Sequence, residues 1–351
     1  MPSTATDLPA LQPARSFKLP RLQEAGLLVV IVLMGLVLSA KNGQLFLSPA
    51  NLLGGIATPM ATYAIMAIGV TCVIIAGGID ISVGAIFALA ALGTAAVLQT
   101  FPEDAPWYTT IPTAIVVACG IGLLCGAING SIVVALGVHP FIVTLGTMAI
   151  FRSIANVNVK LKTLPSPGRT LPESFTTDFM MYEIRPYLPL GPLLVMLLCV
   201  LAGWFYLSLT VAGRENYAIG GNEEAAKFSG LRVKLIKLRV YMISGLMAGI
   251  AGLVSVGYFG TASTNTGTGY ELTVIASAVV GGASLTGGRG TALGALLGAL
   301  VIKMIENGIL VLKLNQEYSG MIIGTAIILA VAVDQFSERL RARRLAGAKK
   351  V

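Results

Sequence analysis

The chain has 351 residues, of which 55% are hydrophobic and 11% charged, and its mean hydropathy is +0.83. Soluble domains carry about 25% charged residues, so a water-facing globular surface is excluded and an all-α, polytopic transmembrane bundle is expected. The net charge of +8 is distributed as membrane topology requires, with no sign of a nucleic-acid-binding face.

The N-terminal segment, 1–23, places Arg15, Lys18 and Arg21 ahead of an apolar run. This is the layout of a signal peptide, but no small-residue cleavage site precedes Lys41 and Asn42, so the run is expected to remain as a first span. Apolar segments fall at 24–40, 57–76, 80–99, 112–136, 140–158, 188–210, 237–259, 272–286, 290–312 and 318–336. A helix needs about 20 residues to cross about 30 Å of hydrocarbon, so the shorter segments are expected to be tilted, broken or re-entrant. About ten spans within 24–336 place both termini in the cytoplasm. Sixteen of the 24 Lys and Arg then lie on the inner side, including Arg289 and the basic tail 337–351. That tail is expected to rest on lipid headgroups.

Two hydrophilic stretches interrupt the pattern. The outer one, 159–187, is rich in proline, threonine and charge and reads as an extracytoplasmic loop with no fold of its own. The inner one, 211–239, carries the signals of a very short helix. Asn222 is a good N-cap, Glu223 and Glu224 fall where the helix dipole favours acids, and Gly230 fits the stop. About two turns cannot persist in water alone, so a protein partner on the cytoplasmic side is expected. The chain also echoes itself at an offset of 204: Gly77 aligns with Gly281, Gly78 with Gly282, Ser82 with Thr286 and Gly84 with Gly288. With Gly287, these are read as structural glycines. Paired glycine-interrupted segments point to a transporter with an internal repeat.

The chain contains no Gly-Lys dipeptide, so a phosphate-binding P-loop is absent and any ATP must be bound elsewhere. Cys72, Cys119, Cys125 and Cys199 all sit in apolar runs without metal-ligand spacing, and the single histidine, His139, precedes Pro140. No catalytic or metal site follows from these residues. Polar groups at membrane depth are Asp80, Asn129, Thr144, Arg152, Asn156, Asn158 and Asn307. Such groups face a cavity or a partner. Asp80 fits a helix cap as well as a substrate or proton path. Lys303 and Glu306 fit an ion pair between helices, and Glu271 a cap or gate. Tyr63, Phe87, Phe141 and Tyr258 suit either packing or stacking on a sugar.

Four ordered motifs carry a family resemblance. They are Ala76-Gly-Gly-Ile-Asp-Ile-Ser-Val-Gly84, Pro140-Phe-Ile-Val-Thr-Leu-Gly146, Ala218-Ile-Gly-Gly-Asn-Glu-Glu-Ala-Ala226 with Ser229-Gly230, and Val280-Gly-Gly-Ala-Ser-Leu-Thr-Gly-Gly-Arg-Gly290 after Gly269-Tyr-Glu-Leu272. Over about 45–335 the chain resembles the ribose/xylose-type permease of bacterial ABC sugar importers. Ile81, Ile86 and His139 depart mildly from the pattern.

The resemblance implies a multi-pass, non-enzymatic subunit of the bacterial inner membrane that imports a monosaccharide by alternating access. It further implies a second permease subunit, ATPase subunits that hold the ATP and Mg, and a periplasmic or lipid-anchored sugar-binding protein. The coupling helix would be Gly221, Asn222, Glu223, Glu224, Ala225, Ala226, Lys227 and on to Gly230. The substrate path would draw on Asp80, Asn129, Thr144, Asn156 and Asn307. The alternatives are a proton-coupled secondary transporter, a membrane-embedded enzyme, and an ABC permease for a nucleoside, amino acid or signalling molecule.

Overall fold

The computed structural model describes residues 22–157, 159 and 162–332. Twelve α-helices run through them: α1 Leu22–Phe46, α2 Thr58–Ile75, α3 Val83–Leu98, α4 Trp107–Leu136, α5 Pro140–Val157, α6 Leu190–Leu209, α7 Val211–Gly221, α8 Glu223–Phe228, α9 Val233–Phe259, α10 Tyr270–Val280, α11 Ala292–Val311 and α12 Tyr318–Ala332. A π-helical stretch, Ala50–Ala57, runs directly into α2. The cations Arg15, Lys18 and Arg21 and the tail 337–351 lie outside the described residues.

Among the described residues, seven helices are long and apolar enough to cross a membrane: α1, α2 with its π-helical lead, α4, α5, α6, α9 and α11. The apolar helices α3, α10 and α12 are shorter. Each predicted segment overlaps one of these helices, and the chain is a polytopic helical membrane protein. With 16 residues α3 is about 24 Å long, and with 11 residues α10 is about 17 Å.

A helix that is apolar all round belongs inside a bundle. The centre is α2, in which every residue but Pro59 is buried. Around it pack α9, α10, α11 and α6, while α1 leans chiefly on α11 and stays exposed. The most extensively packed helix pair, α4 and α9, is a small-residue seam. A Cβ on Gly122 would overlap the Gly245 carbonyl, one on Gly245 the Gly122 carbonyl, and one on Gly126 the Tyr241 carbonyl. In lipid, where apolar burial gives helices little reason to associate, this backbone approach supplies the attraction.

The outer loop differs from the expectation. It contributes β1, Thr163–Leu164, which pairs antiparallel with β4, Ala262–Ser263, and a hairpin of β2, Glu183–Arg185, with β3, Leu188–Pro189. A π-helical turn at Thr176–Met180 follows Phe175, and Phe175 and Met180 are both fully buried in the main core. Composition marked the segment as loop, but its few large apolar residues dock it on the bundle. That packing overrides local propensity.

Candidate functional site

The hydrophilic island is built from α7 and α8. Thr210 starts α7 by accepting the Gly213 N–H at 2.9 Å. Asn216 Nδ2 then donates to the Cys72 carbonyl (3.1 Å) and Tyr217 Oη to the Gly290 carbonyl (2.8 Å). The Gly288 N–H joins the Ile75 carbonyl at 2.8 Å. These bonds pin α7 across the ends of α2 and the α10–α11 loop. They also give the Cys72, Ile75 and Gly290 carbonyls side-chain or backbone donors at the helix ends.

Gly221 closes α7, and Asn222 turns extended (φ −161°, ψ 104°) and accepts the Ala225 N–H at 2.9 Å. Glu223 and Glu224 occupy the first turn of α8. Its end is a Schellman motif: Gly230 (φ +85°) donates to the Lys227 carbonyl and Leu231 to the Ala226 carbonyl, both at 3.1 Å. The expected cap and stop are therefore both formed. Of the six residues of α8 only Ala226 is buried. Within 211–239, α7 is helical and α9 begins at Val233.

Two features of α8 went unseen in the sequence. Glu223 Oε1 is paired with Lys237 Nζ at 2.7 Å, so this acid faces α9. Phe228 is 90% exposed, beside exposed Lys227, Arg232 and Lys234. A phenylalanine left in solvent forgoes about 1.5–3 kcal/mol of burial. Its position on a helix that scarcely touches the bundle points to a partner surface.

Three of the five path residues converge. Asp80 has no exposed surface; its Oδ1 accepts the Ser82 N–H (3.0 Å) and Ser82 Oγ–H (2.7 Å), and its Oδ2 accepts Ser244 Oγ–H (2.8 Å). Asn129 Nδ2 donates to Ser82 Oγ at 2.7 Å, and Thr144 Oγ1 lies 3.0 Å from the Pro140 carbonyl and 3.3 Å from that of Ile79. The network ties the α2–α3 loop to α4, α5 and α9. Of the other two, Asn156 is exposed at the C-terminal end of α5, and Asn158 lies outside the described residues. Asn307 forms a two-bond amide pair with Asn51 (2.7 and 3.1 Å). None of the five lines the inner cavity beside α8 or the small cavity near Tyr63.

Elsewhere, Arg152 holds the outer α9–α10 loop through the Thr266 (2.7 Å) and Gly267 (3.1 Å) carbonyls. Lys303 and Glu306 pair at 2.9 Å within α11, not between helices. Tyr63 and Phe87 both pack against Tyr270, which makes them core, while Phe141 is exposed. His139 lines the inner cavity.

The sequence echo also has a structural form. Gly77 donates to Ile74 and Gly78 to Val73, each one a Schellman bond closing α2. Gly282 donates to Val279 and Ala283 to Ala278, which closes α10 in the same way. The repeated geometry pairs Gly77 with Gly282, an offset of 205, one residue beyond the offset that residue identity suggests. Gly77, Gly282, Gly287 and Gly288 all hold positive φ. At Gly78, Gly84 and Gly281 a Cβ would run into Tyr241, Glu271 and Gly294.

Seven apolar helices long enough to cross a membrane, packed around α2, with α2 and α10 closed by the same glycine turn, define a polytopic helical membrane protein. The chain matches, over residues 52–331, the family described as the permease component of branched-chain amino acid transport systems, and it belongs to that family. Among its relatives is the ribose import permease of Escherichia coli K12, 36% identical over 317 residues, 89% of this chain and 94% of the relative. The galactose/methyl galactoside import permease of Haemophilus influenzae is 34% identical over 93% and 97% of the two chains. A probable ABC transporter permease of Sinorhizobium fredii is 36% identical over 80% of each. No solved structure matches the chain.

Proposed function

We propose that this chain is the permease subunit of an ATP-binding-cassette importer that moves a monosaccharide, a pentose or hexose, across the bacterial inner membrane. The observation that carries the reading is α8: capped at both ends, with one buried alanine, and with Phe228 exposed. Such a helix gains its stability from a docked partner. The relatives named for ribose and galactose import support a sugar as cargo. The family description keeps an amino acid as the alternative.

In this reading Gly221–Gly230 is the coupling segment. Glu224, Lys227 and Phe228 meet an ATPase subunit that holds ATP and Mg, while Glu223 braces the helix from behind. Ten spans place both termini inside, with the permease domain over 24–336, between the cytoplasmic segment 1–23 and the lipid-contacting tail 337–351. A second permease subunit completes the pathway, and a periplasmic or lipid-anchored binding protein delivers the sugar at the outer loop. Transport needs two packed states of this bundle that the two partners bind with different affinity. In the packing described, Asp80, Asn129 and Thr144 hold the α2–α3 loop shut; as path residues they would act only once that loop opens.

The test is co-purification and uptake. Glu224→Lys with Phe228→Asp is expected to strip the ATPase from the detergent-solubilised complex and abolish ATP-dependent sugar uptake in proteoliposomes, leaving thermal stability unchanged. Retained assembly and uptake would remove α8 from the docking role. Sugar accumulation by the lone chain under a proton gradient would instead establish a secondary transporter.

A further inference from the structure

One face of α9 runs from the cytoplasmic helix to the buried carboxylate. Lys237, Tyr241 and Ser244 stand at i, i+4 and i+7, the spacing that aligns side chains along a helix. Lys237 Nζ grips Glu223 of α8 at 2.7 Å. One turn deeper, Tyr241 Oη donates to the Ile79 carbonyl at 3.4 Å, and Ser244 Oγ donates to Asp80 Oδ2 at 2.8 Å. Thus α8 and the α2–α3 loop are both fastened to the same stripe of α9.

Behind the Glu223–Lys237 bridge lies a cavity of about 210 Å³, lined in part by Gly77, Gly78, His139, Glu223, Lys237 and Tyr241. The void separates α8 from the Gly77–Gly78 turn. A push on α8 meets the bundle at the buried Ala226, which shares a core cluster with Val73, Ala76 and Tyr241. It can also travel along α9, which α8 meets at the bridge and through the short 229–232 connection. On its other side α8 hinges on extended Asn222, beyond which α7 is pinned to the bundle.

We propose that the Glu223–Lys237 bridge is the strut that transmits motion of α8 into α9, with Tyr241 and Ser244 passing it to the Asp80 loop. Lys237 is then a positioning residue for transport. The inference rests on the importer reading above. Glu223 is half exposed and Lys237 about a quarter, and exposed ion pairs add little to stability. The strut is therefore expected to matter for coupling and not for folding.

The test uses the assembled complex of permease, ATPase and binding protein, with Glu223→Lys, Lys237→Glu, the double charge swap, and Lys237→Arg. Each single reversal is expected to keep the ATPase bound and thermal stability unchanged, while ATP-dependent uptake falls at least about tenfold. The swap and Lys237→Arg are expected to recover at least about half of it. Single reversals that transport normally, or a swap that recovers nothing, overturn the strut. Reversals that release the ATPase also overturn it, by making these residues docking contacts, and leave the importer reading intact. A wild-type chain that binds no ATPase defeats that reading, and the strut with it.

Discussion

Replacing Asp80 separates its two readings, buried tie or substrate path. Asp80→Ala removes the acceptor of three hydrogen bonds, from the Ser82 N–H, Ser82 Oγ and Ser244 Oγ, at a site without solvent. Bonds to a charged acceptor are worth about 1.5–3 kcal/mol each, and an orphaned buried donor adds its own penalty. Alanine also relieves the desolvation of a carboxylate with no cationic partner, which offsets part of that sum. A net loss of about 3 kcal/mol is expected. At about 2.1 cal/mol/K of unfolding entropy per residue, a chain of 351 residues loses about 1.4 °C per kcal/mol, so the apparent Tm in detergent should fall by about 4 °C. Asp80→Asn keeps Oδ1 for both Ser82 donors and offers Nδ2 to Ser244 Oγ, which can turn and accept. It should keep most of the stability. The assay is a thermal unfolding scan of the purified complex beside sugar uptake. Full stability with abolished uptake in Asp80→Ala would refute the tie and make the carboxylate part of the path.

Three further perturbations probe the frame around this site. Gly245→Ala on α9 sets a Cβ against the Gly122 carbonyl and the Gly126 backbone, whereas Gly120→Ala on α4 meets open space. Overpacking costs about 1–3 kcal/mol, so only Gly245→Ala should lower the yield of folded protein and its Tm. Asn51→Leu or Asn307→Leu alone leaves a buried amide without its partner and should cost about 1–3 kcal/mol. The double variant should cost less than the two summed, which a double-mutant cycle in Tm reads directly. Asn222→Ala removes the α8 cap, worth about 1 kcal/mol, and should speed proteolysis at 222–230, while Asn222→Asp should not.

What the sequence revealed follows the range of the forces involved. The boundaries of α8 were legible because its cap, its acidic first turn and its stopping glycine all lie within residues 222–230 and act on neighbouring backbone. The partners of Asp80 were not: Asn129 reaches Ser82 from 47 residues away and Ser244 reaches Asp80 from 164. A hydrogen bond formed by helix packing leaves no local pattern behind. Phe228 was hidden for the opposite reason, since a phenylalanine in so apolar a chain stands out only once its surroundings prove to be water. The α4–α9 seam was legible in principle, because Gly122, Gly126 and Gly130 and then Gly245 and Gly249 stand four residues apart, the spacing of closely approaching helices. The echo shows where residue matching stops short. It aligned Gly77 with Gly281 by identity, whereas the hydrogen bonds equate Gly77 with Gly282, because a Schellman turn requires positive φ at one position and only backbone geometry identifies which. The same turn closes α8 at Gly230, so one backbone device ends the central helix, its echo and the helix offered to the partner.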